Sequence, residues 1–558
     1  MILTLAIVGA IGVVVLSERS AERLLFAVAA LFFNAALLLI FVADFERAIL
    51  LSGMLSVAIT GVSIVKFDHS ALKLTVSDLP LVFAGTVRFF VLQYPRMMLG
   101  VLVGSLLLVF ASATVLLYAG GSPVSIESRF LLFSLALIGF ATSFAVKGAG
   151  SSRLMLTHPR CFYSTFMASL IDPASWQQFG RLTLSDIAAE PLPLKEAMPA
   201  RSSYSPDIIV IQHESVFDPR IFGLPVEPIV EAFLSPADGQ YGCLNVDIFG
   251  GGSWQSEFSL LTGLSSASFG SAAYHLFKKG AGRFHSSLTR SLTSLGYRTM
   301  LASSCRRNFL NYDEFYSSIG MDERIFIDDF PPPFDIRRFE ATNSDAVLLE
   351  AVIDLYKNSI RDDPAPRFLY VLTNFNHGPH DRRLVSPGQF ESERAFAAAS
   401  LPDPGYAEYY TRLVETASTW QKLRSKLERE FSGRPILVLH YGDHQPVLTR
   451  RIDRQLKLAH DARRAFRTFY AMEALNVSPE HFSSGRGADL DIAFLGTVAL
   501  QRAGLPLDPI FATRASLLDD CGETYFASAS ERKRRFHRTL VDLGLIDLMP
   551  GAQIRAPI

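Results

Sequence analysis

The first 150 residues of the chain consist of long apolar runs separated by short polar loops. A helix that crosses the hydrocarbon core of a bilayer needs about 20 residues, because each residue adds about 1.5 Å of rise. Five apolar runs occur, at about 2–17, 24–42, 47–65, 97–118 and 128–148, and the last four meet or approach this length. The pattern therefore predicts a helical, multi-span membrane domain over residues 1–150.

The orientation of these spans is less well defined than their number. The first run is short and has no basic segment before it, so a membrane span is a better interpretation than a cleaved signal peptide. With five spans and an external carboxyl-terminal domain, most loop lysines and arginines fall outside, contrary to the positive-inside tendency. A sixth spanning or re-entrant segment at about 79–94 would reverse this distribution. Both topologies stay open.

The pattern changes after the membrane domain. Residues 151–204 are polar and contain several prolines, which predicts an irregular linker. Beyond them, short β-branched runs alternate with amphipathic stretches, which is typical of a mostly parallel sheet covered by helices on both faces. The predicted strands are Ile208–Gln212, Arg298–Ala302, Phe368–Leu372 and Ile436–His440, and the predicted helices are Ser256–Leu264, Ser286–Leu295, Asp345–Ser359 and Tyr406–Phe431. We therefore expect an α/β domain over 205–515 and a carboxyl-terminal extension over 516–558.

Composition excludes some classes of function. The 53 lysines and arginines are balanced by 54 acidic residues, for a net charge of −1. A general nucleic-acid binder would instead carry a basic patch or stripe, so no nucleic-acid partner is expected. The four cysteines are widely spaced and form no CxxC pair, which argues against a zinc cluster. They are buried thiols or, in an oxidising compartment, disulfide partners.

Polar residues follow three of the predicted strands at the point where each strand ends. Glu214 comes after the first strand, Asp443 and His444 come after the last, and His377 follows the third. Ligands of parallel sheets bind beyond these carboxyl ends. Carboxylate oxygens and an imidazole nitrogen suit Mn²⁺, Zn²⁺ or Mg²⁺, and His377 would contact a phosphoryl oxygen or assist a leaving group. Each residue taken alone also has an ordinary structural interpretation.

A glycine-rich segment lies between the first and last of these strands. Gly250, Gly251 and Gly252 allow close approach of the backbone to a ligand. Ser253 then falls just before a predicted helix, where unpaired N–H groups favour a phosphate. A serine hydroxyl needs activation to act as a nucleophile, which a bound metal ion can supply. The alternative is that Ser253 or Ser256 only caps the helix.

In order and spacing, these motifs resemble those of the lipoteichoic acid synthase and phosphoglycerol transferase family, within the alkaline phosphatase and sulfatase superfamily. The most specific match is Gly252-Ser253-x-x-Ser256-Glu257-Phe258, which looks like the family's G-x-T-S-x-x-E-F segment. The resemblance covers about residues 205–510, and the multi-span segment before them matches the family's architecture. It implies an α/β domain of the alkaline phosphatase and sulfatase type behind a membrane anchor.

The resemblance also implies a metal site and a nucleophile. Glu214, Ser253, Asp443 and His444 would hold one divalent cation, Mn²⁺ or Mg²⁺ rather than Zn²⁺, and Ser253 would be the nucleophile. His377-Gly-Pro is similar to the family's Asn-His-x-Pro segment, whose histidine contacts the substrate phosphate.

The implied head-group site departs from the family pattern. Residues 309–313, Phe-Leu-Asn-Tyr-Asp, resemble the family's F-W-N-R-D segment, so Asn311 is a candidate substrate contact. Leu310 and Tyr312 replace the tryptophan and arginine that contact phosphoglycerol in the family. Arg306 or Arg307 is then the candidate source of the missing positive charge.

These features together predict a metal-dependent transferase in the inner or plasma membrane, with its catalytic domain on the periplasmic or extracellular side. It would move phosphoglycerol from phosphatidylglycerol to a glycan through a seryl intermediate. One alternative is a phosphodiesterase or hydrolase with water as the acceptor. A phosphoethanolamine transferase or a sulfatase fits less well, because the Glu-Thr-x-Arg and Cys/Ser-x-Pro-x-Arg segments are absent. A non-catalytic domain that binds glycan or lipid is a further alternative, suggested by Leu310 and Tyr312.

Overall fold

The computed structural model divides the chain into two compact units, Met1–Gly180 and Arg181–Ile558. The residues that it describes are 9, 11–12, 14–16, 18, 21–70, 73–81, 91, 95–121, 123–145, 160–172, 182–184, 186–201, 205–330, 344–361, 363–477, 484–525 and 527–548. Each unit has its own apolar core, and the candidate site lies in the second unit.

The first unit is helical. Its described helices are α1 (Ala21–Val42), α2 (Phe45–Ser70), α3 (Pro95–Tyr118), α4 (Ile126–Ala145) and α5 (Phe162–Ile171). Four segments are long and apolar enough to cross a membrane, namely Arg23–Val42, Phe45–Asp68, Pro95–Tyr118 and Ile126–Phe144. They correspond to four of the five predicted runs. The first run, at 2–17, and the alternative segment at 79–94 lie largely outside the described residues.

The described part of the stretch predicted as an irregular linker contains a helix. Helix α5 is apolar along its length, and eight of its ten residues are buried. Its residues Tyr163, Phe166 and Met167 share a core with Phe26 and Phe140 of α1 and α4. This segment is therefore a helix packed into the first unit, because its apolar sequence outweighs the prolines on either side of it.

The second unit contains a nine-stranded sheet with the order β4-β3-β5-β1-β6-β7-β2-β8, and β9 pairs with β2. Strands β4, β3, β5, β1 and β6 run parallel to one another, whereas β7 is antiparallel to both β6 and β2. The strands are β1 (Asp207–His213), β2 (Gln240–Asn245), β3 (Arg298–Ser303), β4 (Glu323–Phe326), β5 (Arg367–Leu372), β6 (Ile436–Gly442), β7 (Arg467–Leu475), β8 (Gly485–Arg486) and β9 (Leu490–Asp491).

Helices cover both faces of this sheet, as the sequence predicts. They are α6 (Pro228–Leu234), α7 (Trp254–Thr262), α8 (Leu276–Lys279), α9 (Leu288–Ser294), α10 (Tyr312–Ser318), α11 (Asp345–Ser359), α12 (Glu391–Ser400), α13 (Pro404–Glu430), α14 (Leu448–Leu456), α15 (Ile492–Arg502), α16 (Pro509–Cys521) and α17 (Glu531–Asp542). The four predicted strands and four predicted helices of this unit are confirmed, each within two residues of its observed ends.

Alternating residues of β1 enter two separate cores. Ile208 and Val210 pack with α7 on one face, while Ile209 and Ile211 pack with α13 on the other. We call these the α7 face and the α13 face. Side chains alternate across a strand, so an unbroken apolar run is needed when both faces are buried.

The described residues after 515 also join this fold. Residues 516–558 were predicted as an extension, but Phe536, Leu540 and Ile546 are buried in the core of the α7 face. The described part of this segment is thus integral to the unit. Its helix α17 is rich in arginine, which hides the few apolar positions that anchor it.

Candidate active site

Two neighbouring parallel strands bring the first ligand candidates to one edge of the sheet. Strands β1 and β6 pair with His213 opposite Gly442, so Glu214 and Asp443 leave the sheet side by side. The loop after β1 passes so close to Gly442 that a Cβ at this position would lie 1.8 Å from the Val216 carbonyl oxygen. Glycine at this position is therefore required by packing. Ser215 has a φ of 57°, an uncommon conformation for a residue other than glycine.

Glu214, Asp443 and His444 form a compact buried group. One ligand atom from each lies within 4.8 Å of the other two. His444 Nε2 lies 3.5 Å from Glu214 Oε1 and 3.5 Å from Asp443 Oδ2. His444 Nδ1 lies 3.1 Å from the Gln445 carbonyl oxygen, which can only accept, so this nitrogen carries the proton. The Nε2 lone pair then faces the two carboxylates, as in a metal-ligating histidine.

The glycine-rich segment places Ser253 against this group. Gly250, Gly251 and Gly252 all have positive φ values, and the Gly250 N–H donates to the Gln445 carbonyl. The Ser253 hydroxyl donates to Glu214 Oε2 at 2.8 Å and lies 3.4 Å from His444 Nε2. Ser253 stands at the N-cap position of α7, but its hydroxyl forms no capping bond. The capping alternative therefore does not explain its side chain.

Ser256 does not cap the helix either. Its buried hydroxyl donates to the Asp443 carbonyl oxygen at 2.6 Å. This bond joins the first turn of α7 to the loop after β6. It therefore helps to fix Ser253 relative to Asp443.

The electrostatics of the group favour a cation. Asp443 Oδ1 accepts from the backbone N–H groups of Ser215 and His444, both at 2.7 Å, whereas Oδ2 has no hydrogen-bond partner in the described part of the chain. Burial raises the pKa of Asp443 well above its usual range, and the neighbouring Glu214 carboxylate raises it further. A divalent cation would compensate both effects, since a buried carboxylate needs a counter-charge or a metal.

The other two members of the group have smaller pKa shifts. Burial acts to raise the pKa of Glu214, but the nearby His444 and His377 imidazoles and the Ser215 and Ser253 hydroxyls outweigh it, so the pKa is lowered. Burial lowers the pKa of His444, against the opposing effect of Glu214. A neutral imidazole and an ionised carboxylate are the forms that bind metal ions.

His377 belongs to the same site. It lies close enough to Glu214 and His444 to influence the pKa of each. Its Nδ1 lies 2.6 Å from the Gly378 carbonyl oxygen, which places the lone pair on Nε2. The buried Arg412 of α13 holds this loop by donating to the His377 carbonyl at 2.9 Å and to the Arg382 carbonyl at 2.7 Å. Nothing in the sequence pattern indicated this role for Arg412.

The three other predicted substrate contacts are engaged elsewhere in the structure. Arg307 forms ion pairs with Asp313 at 2.9 Å and Asp329 at 2.7 Å. Arg306 lies 3.4 Å from Asp328, and Asn311 Nδ2 donates to the Phe277 carbonyl at 3.0 Å. These contacts fix the loop that joins β3 to α10. Substrate binding by these three residues stays a prediction.

Tyr312, which stands where the similar phosphoglycerol transferase segment has an arginine, points into the protein interior. It is buried, and its hydroxyl donates to Glu257 Oε1 at 3.0 Å. Glu257 also accepts from Tyr316 and from Gln212 Nε2. The sequence interpretation assigned no role to Glu257, although its position four residues after Ser253 puts the two on one face of α7.

A model of the sulfatase family matches residues 206–472. The matched segment spans slightly less than half of the chain and lies in the second unit, whose fold is of the sulfatase and alkaline phosphatase type. The match includes Glu214, Ser253, His377, Asp443 and His444. It does not include the helices beyond β7 that complete the core.

The individual proteins that are similar to this chain have low sequence identity to it. An uncharacterized protein of Haemophilus influenzae is 24% identical over 318 residues, which is 56% of this chain and 56% of that protein. The lipoteichoic acid synthase LtaP of Listeria monocytogenes is similar at 16% identity and a TM-score of 0.44, over 55% of this chain and 74% of LtaP. The phosphoglycerol transferase GacH of Streptococcus pyogenes, solved with sn-glycerol-1-phosphate, is similar at 16% identity and a TM-score of 0.46, over 68% and 90%.

Proposed function

We propose that the protein is a membrane-anchored, metal-dependent transferase that moves phosphoglycerol from phosphatidylglycerol to a glycan of the cell envelope. The observation that carries this proposal is the Ser253 hydroxyl, 2.8 Å from Glu214 Oε2 and 3.4 Å from His444 Nε2. A hydroxyl held by a carboxylate and an imidazole is suited to attack on phosphorus. The four apolar helices support a lipid donor, because such a donor stays at the bilayer.

The residues at the site fit one divalent cation. Glu214 and Asp443 offer carboxylate oxygens, His444 offers Nε2, and Asp443 Oδ2 is a buried oxygen without a hydrogen-bond partner among the described residues. This oxygen-rich set favours Mn²⁺ or Mg²⁺ over Zn²⁺. When bound, the cation would neutralise charge on the reacting phosphate and favour ionisation of the serine hydroxyl.

In the first step, Ser253 Oγ forms a bond to the phosphorus of phosphatidylglycerol while its proton passes to Glu214. The phosphorus–oxygen bond to diacylglycerol breaks, and His377, in its imidazolium form with a proton on each ring nitrogen, gives the Nε2 proton to the departing oxygen. In the second step, a glycan hydroxyl attacks the phosphorus and transfers its proton to His377. The bond to Ser253 breaks, and Ser253 regains its proton from Glu214.

The proposal predicts that Ser253→Ala abolishes release of diacylglycerol. Removal of a nucleophile that acts with its partners lowers turnover by about 10³-fold or more. The measurement uses phosphatidylglycerol with a labelled acyl chain, the full-length protein in detergent and added Mn²⁺. Ser392→Ala, at an exposed position of α12, is the matched control and should retain full turnover. Turnover by Ser253→Ala at the level of this control would refute the assignment of Ser253 as the nucleophile.

Product analysis separates transfer from hydrolysis. With labelled glycerol in the head group and an added glucan, a transferase places the label on the glucan. A hydrolase releases free glycerol phosphate whether or not glucan is present. Labelled phosphatidylethanolamine in a parallel reaction tests the alternative head group, and preferential use of it would overturn the choice of donor.

A further inference from the structure

Three of the candidate active-site residues have a buried polar residue two positions before them or four positions after them in the sequence. Gln212 lies two residues before Glu214, and Tyr441 lies two residues before Asp443. Glu257 lies one helical turn after Ser253 and is also buried. The strand period of two and the helical spacing of four place each such residue on the same face as its active-site neighbour.

These buried residues are hydrogen-bonded to one another. The Gln212 side chain donates to Glu257 Oε1 at 3.3 Å and accepts from the Tyr441 hydroxyl at 2.5 Å. Tyr370 joins them, with its hydroxyl 2.8 Å from that of Tyr441 and 3.2 Å from Gln212 Oε1. Together with Tyr312 and Tyr316 they form the Glu257 network, which links β1, β5, β6, α7 and α10.

The hydrogen bonds of the network favour the ionised form of Glu257, and burial opposes it. Oε1 accepts from Tyr312 and Gln212, and Oε2 accepts from Tyr316. In the described part of the chain, Glu257 is hydrogen-bonded to two hydroxyls and an amide group, and no lysine or arginine is paired with it. Burial raises the pKa of Glu257 to about 7, against the lowering effect of its three donors, and the charge on Glu214 adds to the increase.

A divalent cation held by Glu214, Asp443 and His444 would offset the energetic cost of burying a charged Glu257. Three buried carboxylates, Glu214, Asp443 and Glu257, would share one positive centre. Charge interactions fall off slowly in a poorly polarisable interior, so Glu257 does not need to touch the cation to attract it. Each donor to Glu257 keeps the carboxylate in its charged form.

We propose that Glu257 is a positioning residue whose negative charge strengthens the binding of a divalent cation at Glu214, Asp443 and His444. The inference rests on the metal site of the proposed function. In this arrangement Glu257 contributes charge and rigidity to the site without coordinating the cation. Loss of an outer partner of this kind typically lowers metal affinity by about 10- to 100-fold.

The test is a titration of the purified full-length protein with Mn²⁺, with the free ion followed by electron paramagnetic resonance, so that the readout is independent of turnover. We expect Glu257→Gln to weaken Mn²⁺ binding by about 10-fold or more. Glu473→Gln is the matched control, since Glu473 is buried on the α13 face and is paired with Arg424 at 3.0 Å. It should bind Mn²⁺ as the wild type does.

Equal Mn²⁺ affinity in folded Glu257→Gln and wild type would overturn the inference. If the wild type itself binds no Mn²⁺, the proposed metal site fails first. Tyr316→Phe covers the case in which Glu257→Gln does not fold. It removes one donor and favours the neutral acid, so weaker Mn²⁺ binding is expected and unchanged binding would contradict the role of the charge.

Discussion

The two faces of the sheet differ in how they accommodate buried polar side chains behind the candidate site. On the α7 face, Gln212, Tyr441 and Glu257 are bonded to one another. On the α13 face, the rings of His213 and His440 are fully buried, and their nitrogen atoms have no hydrogen-bond partner in the described part of the chain. Adjacent residues of one strand thus have opposite environments.

The histidines of the α13 face are surrounded by aromatic rings. His213 lies 5.1 Å from the Phe233 ring and 5.6 Å from the His440 ring, measured between centroids. The Trp420 ring lies 4.8 Å from His440. Burial lowers the pKa of His213 well below its usual range, and His440 lowers it further. Around these two histidines the α13 face therefore supports the strand ends by packing, whereas the α7 face behind Glu214 and Asp443 supplies hydrogen bonds and charge.

The largest effect on stability is expected at Asp345, a buried carboxyl group on the α13 face whose hydrogen bonds are incomplete. Asp345 begins α11 and is buried, with Oδ1 accepting from the Asn374 and Phe375 N–H groups. Its Oδ2 has no hydrogen-bond partner among the described residues. Burial raises the pKa of Asp345 from 3.8 to about 7.

The sign of the pH dependence follows from this increase. Below the unfolded pKa the carboxyl is neutral in both states, and between that value and the folded pKa only the unfolded chain loses the proton. Stability is therefore lost as the pH rises from about 4 to about 7. Asp345→Asn, which stays neutral, should exceed the wild type in stability by up to about 4 kcal/mol at pH 8 and by little at pH 4.

Thermal unfolding of the full-length protein in detergent at both pH values measures this difference. The exposed Asp354 of α11 supplies the control Asp354→Asn, whose unfolding temperature should follow the wild type at each pH. An Asp345→Asn variant with the same pH dependence as the wild type would show that this carboxyl is ionised without penalty.

A smaller effect separates the two faces at neighbouring positions of β6. Tyr441→Phe removes a hydroxyl that donates to Gln212 and should lower the free energy of unfolding by about 1 kcal/mol. His440→Phe replaces a ring whose nitrogens have no hydrogen-bond partner among the described residues and whose Nε2 lies 3.7 Å from Glu473 Oε1, and a change of less than about 0.5 kcal/mol is expected. Glu473 keeps its contact with the Trp420 indole at 3.1 Å in that variant.

Denaturant unfolding of the two variants in parallel measures the difference. A larger loss of unfolding free energy for His440→Phe than for Tyr441→Phe would reverse the comparison between the faces. In that case the histidines of the α13 face contribute polar interactions that their geometry does not indicate.

The sequence predicted the framework of the second unit well because its signals are local. Strands β1, β5 and β6 are unbroken apolar runs, and the residues that follow them converge because parallel strands end at one edge. Strands β2 and β7 were missed, since Gln240–Asn245 and Arg467–Leu475 mix polar, small and charged residues. Their partners are distant in sequence, and only the folded sheet identifies them.

Part of the site could also be predicted because its sequence signals are local. Glu214, Asp443, His444, Ser253 and His377 stand beside strand ends or glycines, so their proximity could be expected, although their catalytic roles stay predictions. Glu257, Gln212 and Arg412 act through contacts with residues far away in the chain. Arg307 was expected near substrate, but its charge is matched by Asp313 and Asp329, which sequence spacing alone does not reveal.

The most direct test of the central claim is to trap the covalent intermediate on Ser253. Full-length protein is incubated with phosphatidylglycerol and Mn²⁺ in the absence of a glycan acceptor, quenched in acid, and analysed by mass spectrometry of its peptides. We predict phosphoglycerol on the peptide that contains Ser253 and none on the same peptide of Ser253→Ala. Release of diacylglycerol by a wild-type protein whose Ser253 peptide stays unmodified would contradict transfer through this serine.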